Sequence, residues 1–149
     1  MRFSMDKLAA GGYKGLLEME KYVRSTDISK ELLELIKIRA SVLNGCAYCM
    51  DMHTEEALEL GVSDRKLFAV AVWYESPLFS EEERAALQLT DEVTLIADNA
   101  LTDETYEDAV QFFGEEMVAN LIMQIVIINS WNRIAVTSGA EYHSKRAGK

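Results

Sequence analysis

A chain of 149 residues that is 49% hydrophobic, with one proline and a formal charge of −10, excludes several classes at once. It is long enough to bury a core as one domain, 1–149, without disulfide staples, and too apolar for intrinsic disorder. Its acidity argues against nucleic acid and against an anionic membrane face as partners.

The start, MRFSMDKLAAGG, lacks the apolar stretch of a secretory signal, and the apolar run Leu121 to Ile128 is too short to span a bilayer. No membrane partner is expected, and the expected location is cytoplasmic. There, a close cysteine pair is more often catalytic or metal-binding than structural.

In chain order, almost everything reads as helix, because apolar residues recur at three- and four-residue spacings without sustained alternation. A first helix is expected from about Met5 to Arg24, its start weakened by Gly11-Gly12. Ser29 caps Lys30–Leu43, which Asn44-Gly45 stops. The next helix runs from about Cys46 to Leu60 and ends at Gly61. Ser63 opens another through Trp73, before Ser76-Pro77 breaks the pattern. Ser80 and Glu83 form a capping box for a helix to about Asp98, and Thr102 caps one through Phe113. Gly114 precedes a last helix ending near Ser138, and the tail from Glu141 is polar. The expected fold is all-α, a single bundle of about six to seven helices.

The last helix is apolar on nearly every face from Met117 to Ile128. A surface helix shows one apolar stripe, so this one is either central or meets another subunit, and a homo-oligomer is expected. Trp73 and Trp131 are expected as core or interface aromatics.

The chemistry concentrates in NGCAYCMDMHTEEA, Asn44 to Ala57, which holds both cysteines and one of the two histidines. At about 100° per residue, Cys46 and Cys49 lie roughly 60° apart on a helix and His53 projects between them. The stripe begins at a helix N-terminus, where free N–H groups, the dipole and a nearby imidazole favour thiolate. His53 is one turn beyond Cys49, so the spacing favours Cys49 as the thiol whose proton it handles. Cys46 is then close enough to attack an oxidised Cys49 and close a disulfide.

If the helices flanking Asn44-Gly45 form an antiparallel hairpin, Glu34 faces His53 at about the same distance from the turn. A carboxylate there orients the imidazole and stabilises its charged form, giving a relay Glu34–His53–Cys49. Glu31 competes but lies a turn further from the bend. Tyr48 is an auxiliary candidate as proton donor, and His143 belongs to the polar tail. Zinc is the rival use of Cys46, Cys49 and His53, but a structural site wants a fourth ligand, for which only His143, Asp51 or another subunit offers itself. No metal is therefore expected.

With these residues assembled, ELIKIRASVLNGCAYCMDMHTEEA, Glu34 to Ala57, resembles the signature of the AhpD-like alkylhydroperoxidases of the carboxymuconolactone decarboxylase superfamily. The matching residues are Glu34, Arg39, Ser41, Asn44, Cys46, Cys49 and His53. WYESPLFSEEERAAL from Trp73 and INSWNR from Ile128 to Arg133 agree, and the likeness extends from about Met19 to Gly139. It implies an all-α fold assembling into trimers or hexamers. It also implies reduction of hydroperoxides through a sulfenic acid and an intramolecular disulfide. On this resemblance Cys49 is the peroxidatic thiol, Cys46 its resolving partner and proton donor, and Glu34 with His53 the relay. Tyr48 stands where the best-known peroxidase members carry histidine, and a tyrosine is no base near neutral pH without a large pKa shift.

The expected function is thus a thiol-dependent peroxidase acting on a hydroperoxide substrate, without cofactor, and recharged by an external dithiol reductant. A thiol–disulfide oxidoreductase and a redox sensor that switches assembly are the alternatives.

Overall fold

The structure, a computed structural model, describes residues 1–142 apart from the Asn99 side chain. His143 lies outside the described residues. Within them the chain is helical throughout, with α1 (Met5–Leu8), α2 (Ala10–Arg24), α3 (Lys30–Leu43), α4 (Ala47–Glu59) and α5 (Asp64–Ala69). A 3-10 segment, Val70–Glu75, leads to α6 (Glu81–Thr94), α7 (Ile96–Asn99), α8 (Asp103–Phe113) and α9 (Glu115–Ser138). The count exceeds the expected six to seven because two of the nine helices are four-residue turns, α1 and α7. No single helix among the described residues is long and apolar enough to cross a membrane.

The capping residues act as their chemistry dictates. Ser29, Ser63 and Thr102 each accept a hydrogen bond from the backbone N–H three residues on, and Ser80 with Glu83 closes a reciprocal capping box. Between α3 and α4 the backbone turns at Gly45, whose φ of 63° favours glycine. Cys46 N–H then reaches back to Ser41 O, and Gly45 N–H to Val42 O, the Schellman pattern that satisfies the last carbonyls of α3. Cys46 thus ends one helix and caps the next.

Three boundaries differ from expectation. The first helix breaks at Ala9, not at the glycines: Gly11 and Gly12 lie inside α2, where nothing crowds them. The helix opened by Ser63 ends at Ala69, and the following segment kinks at Val72. Arg39 explains this, because its guanidinium donates to the carbonyls of Val70 and Ala71 and draws them from a regular helix ladder. The helix after Ser80 stops at Thr94 and resumes as α7 past Leu95.

The element buried on every side is α3. Leu32 to Ser41 is a continuous buried run that includes Glu34, Lys37 and Arg39. Charges survive there only because each is paired. Arg39 grips Asp91 through both carboxylate oxygens, at 2.5 and 2.8 Å, and Trp73 Nε1 donates to the same carboxylate. The last helix, α9, packs against α2, α3, α4, α6 and α8 of its own chain, while Val126 and Val136 remain exposed. Its apolar excess is therefore largely absorbed as core, alongside Leu33, Ile36 and Leu89. Trp73 is buried with Leu35, Ile38 and Leu87, and the partly buried Trp131 stacks edge-on against Tyr13.

Candidate functional site

Antiparallel packing of α3 and α4 around Gly45 brings the sequence candidates together. Cys46 and Cys49 are joined by a disulfide, and each is 1% exposed. Cys46 Sγ also accepts from Cys49 N–H at 3.3 Å, so the N-cap position that would otherwise need a hydroxyl or carboxylate is filled by sulfur. The pair packs on Ala135 of α9, with Tyr48 and Ala140 beside it. Cys49 lines a cleft of about 700 Å³ with His53, Tyr48, Met52 and Trp131.

His53 is buried, and its Nδ1 meets Glu34 Oε2 at 2.8 Å. Glu31, the competing carboxylate, is exposed. Glu34 offers its other oxygen to Lys37 Nζ at 3.0 Å, and Lys37 also meets Glu20 of α2 at 3.1 Å. Glu56 of α4 approaches His53 Nδ1 to 3.5 Å. Burial by itself would lower the His53 pKa, but the hydrogen bonds to Glu34 and Glu56 outweigh it, and the imidazole titrates above its ordinary 6.5. In return, the hydrogen bond with His53 pulls the Glu56 carboxyl from 4.5 down to about 2. Both carboxylates thus engage Nδ1, and Cys49 lies one turn back from His53 on the same helix.

The remaining signature residues hold the scaffold. Ser41 donates to Lys37 O and accepts from Asn132 Nδ2. Asn44 Nδ2 bridges to Asn129 and Asn132 of α9, pinning the α3–α4 turn to that helix. Tyr48 sits in the first turn of α4, its ring edge-on to Tyr142, whose hydroxyl donates to Glu55 at 2.6 Å.

Lys37, Glu20, Arg24 and Glu56 escaped the sequence reading. Two of them carried a signal: Lys37 follows Glu34 by three positions and Glu56 follows His53 by three, each on its partner's helix face. Nothing local indicates that α2 supplies Glu20 and Arg24.

For a cation, the convergent atoms among the described residues are those of Glu34, His53 and Glu56, within 4.8 Å of one another, and not the cysteine sulfurs. Lys37 already neutralises Glu34, so an added cation would face a buried ammonium. Asp51, one conceivable fourth zinc ligand, is exposed.

An all-α chain with a CxxC disulfide beside a buried histidine–carboxylate pair has the make-up of a cysteine-pair redox protein. Residues 11–92 match the carboxymuconolactone decarboxylase family, and the chain belongs to it, with an AhpD-like fold and motif. The uncharacterised protein YdfG of Bacillus subtilis (strain 168) is 40% identical over 144 residues, 97% of this chain and 98% of YdfG. A crystal structure of an Agrobacterium tumefaciens protein of unknown function, suggested to be the antioxidant defence protein AhpD, is 36% identical. It superposes with a TM-score of 0.92 over 97% of this chain and 99% of its own. The debrominase Bmp8 shares the fold at 23% identity and a TM-score of 0.77, over 87% of this chain and 70% of its own.

Proposed function

We propose that this protein is a thiol-dependent peroxidase of the alkylhydroperoxidase type. The observation that carries the reading is the asymmetry of the disulfide. Cys49 lines the cleft and shares a helix face with the buried His53–Glu34 pair, whereas Cys46 caps the helix behind it.

In the reduced protein His53 takes the Cys49 proton, and the Glu34 carboxylate stabilises the resulting imidazolium. The thiolate attacks the terminal oxygen of a hydroperoxide, the O–O bond breaks, and the leaving alkoxide takes the proton from His53 as an alcohol. Cys49 is left as a sulfenic acid. The Cys46 thiol then attacks the Cys49 sulfur, water departs, and the disulfide closes. An external dithiol reopens it by exchange and is itself oxidised to a disulfide. The cycle needs no cofactor.

Replacing Cys46 by Ser removes the resolving thiol, so one equivalent of peroxide should arrest the protein as a Cys49 sulfenic acid that dimedone labels. A Cys49→Ser variant should show no thiol-dependent peroxide consumption. Peroxide turnover that survives Cys49→Ser would overturn the reading.

A further inference from the structure

The chain of charges continues past Glu34, out toward the surface, and returns to His53. Arg24 meets Glu20 at 3.1 Å, Glu20 meets Lys37 at 3.1 Å, and Lys37 meets Glu34 at 3.0 Å. Glu34 meets His53 at 2.8 Å, His53 meets Glu56 at 3.5 Å, and Glu56 meets Arg24 at 3.8 Å. The six side chains form a closed ring in which cation and carboxylate alternate. Lys37 and Glu34 of α3 are buried and Glu20 of α2 partly so, but Glu56 is half-buried and Arg24 exposed, and these two line both the Cys49 cleft and a second cleft beyond Glu34.

We propose that Glu56 is a positioning residue of the thiol site, holding His53 as imidazolium from the solvent side and so keeping Cys49 ionised in the reduced protein. The ring explains why a second carboxylate is needed. Lys37 neutralises much of what Glu34 offers, and it also repels a charged imidazole. With a neutral His53 the ring holds three carboxylates against two cations; with an imidazolium it is balanced. Glu56 acts on the thiol only through His53 and touches neither substrate nor sulfur in this scheme. Beyond the ring, the charged side chains lining the Cys49 cleft among the described residues are Asp6 and Lys7 of α1 and Glu141 beyond α9; Met1 with its amino group, Tyr13 and Tyr48 also line it.

The inference rests on the Cys49–His53 pairing of the proposed function but not on peroxide chemistry, and its test uses none. In the full-length reduced protein, iodoacetamide alkylation is followed against pH for the parent, Glu56→Gln and Glu59→Gln. Glu59 is exposed on the second cleft, one turn further along α4, and removes the same formal charge. Glu56→Gln should move the alkylation profile to higher pH, slowing the reaction below its midpoint by about three- to tenfold. The His53 imidazole should titrate at lower pH by NMR in the same variant. Glu59→Gln should leave both where they were. Glu56→Asp, which keeps the charge on a shorter arm, should recover part of the shift. An unchanged profile in Glu56→Gln, or equal shifts in both amide variants, would overturn the assignment. Failure of peroxide turnover with the alkylation shift intact would count against the proposed function alone.

Discussion

His53 Nδ1 and Glu34 Oε2 lie 2.8 Å apart across the α3–α4 hairpin, nineteen positions distant in sequence and both buried. The contact favours a proton on Nδ1, because a carboxylate can only accept and so needs a protonated nitrogen opposite it. Glu34 is held in turn by Lys37, so the pair is fixed within α3 as well as across it.

Replacing His53 by Gln should therefore slow alkylation of the reduced protein near neutral pH and reduce peroxide turnover by about a hundredfold or more. Glu34→Gln should give a smaller defect in the same direction, since it acts only through the imidazole. Stopped-flow kinetics on both variants checks this. A His53→Gln protein that reacts like its parent would exclude the relay.

Stability of the oxidised protein should fall on the alkaline side. A His53 pKa raised above 6.5 means that the folded chain holds the proton more tightly, so this contribution is complete below 6.5 and disappears as pH rises through the folded value. Glu56 behaves oppositely: lowered from 4.5 to about 2, it contributes above 4.5, and the contribution is lost as pH falls toward 2. Melting temperature followed across roughly pH 3 to 9 should show a plateau between these limbs, and His53→Gln should flatten the alkaline one. Stability that rises above neutrality would contradict the assignment.

Gln124 sits fully buried in α9, and neither its amide nitrogen nor its oxygen finds a partner among the described residues. An unsatisfied buried amide is expensive, so Gln124→Met, close in volume, should stabilise the fold by about 1–3 kcal/mol. Urea unfolding with an unchanged slope and a higher midpoint is the expected result. A lower midpoint would mean that the amide is satisfied in solution.

The protein should assemble as a homo-oligomer, a hexamer first and a trimer second. Because α9 is mostly enclosed by its own chain, the expected contact surface falls to other apolar side chains left exposed. Phe68, at 82% exposed, lies near Val72 and Tyr74 in sequence, and all three are open to solvent. Light scattering after size exclusion at micromolar concentration decides it, and a stable monomer would refute the expectation.

The sequence by itself determined the helices and the heart of the site. Caps such as Ser29, Ser80 and Thr102 and the Cys46–Cys49–His53 stripe are interactions of three or four residues' reach, so their geometry is already present in the local chain. Glu34 was legible too, because a short turn at Asn44-Gly45 leaves two helices little choice but to lie antiparallel. Tertiary structure decided what depends on distant partners. Arg39 ended the Ser63 helix early by taking its carbonyls, and α3, not α9, became the element enclosed on every side. It also set which sulfur lines the cleft, and it brought Glu20 and Arg24 of α2 to Lys37 and Glu56. A buried charge is tolerable only where another element supplies its counter-charge, and no local pattern says which element that is.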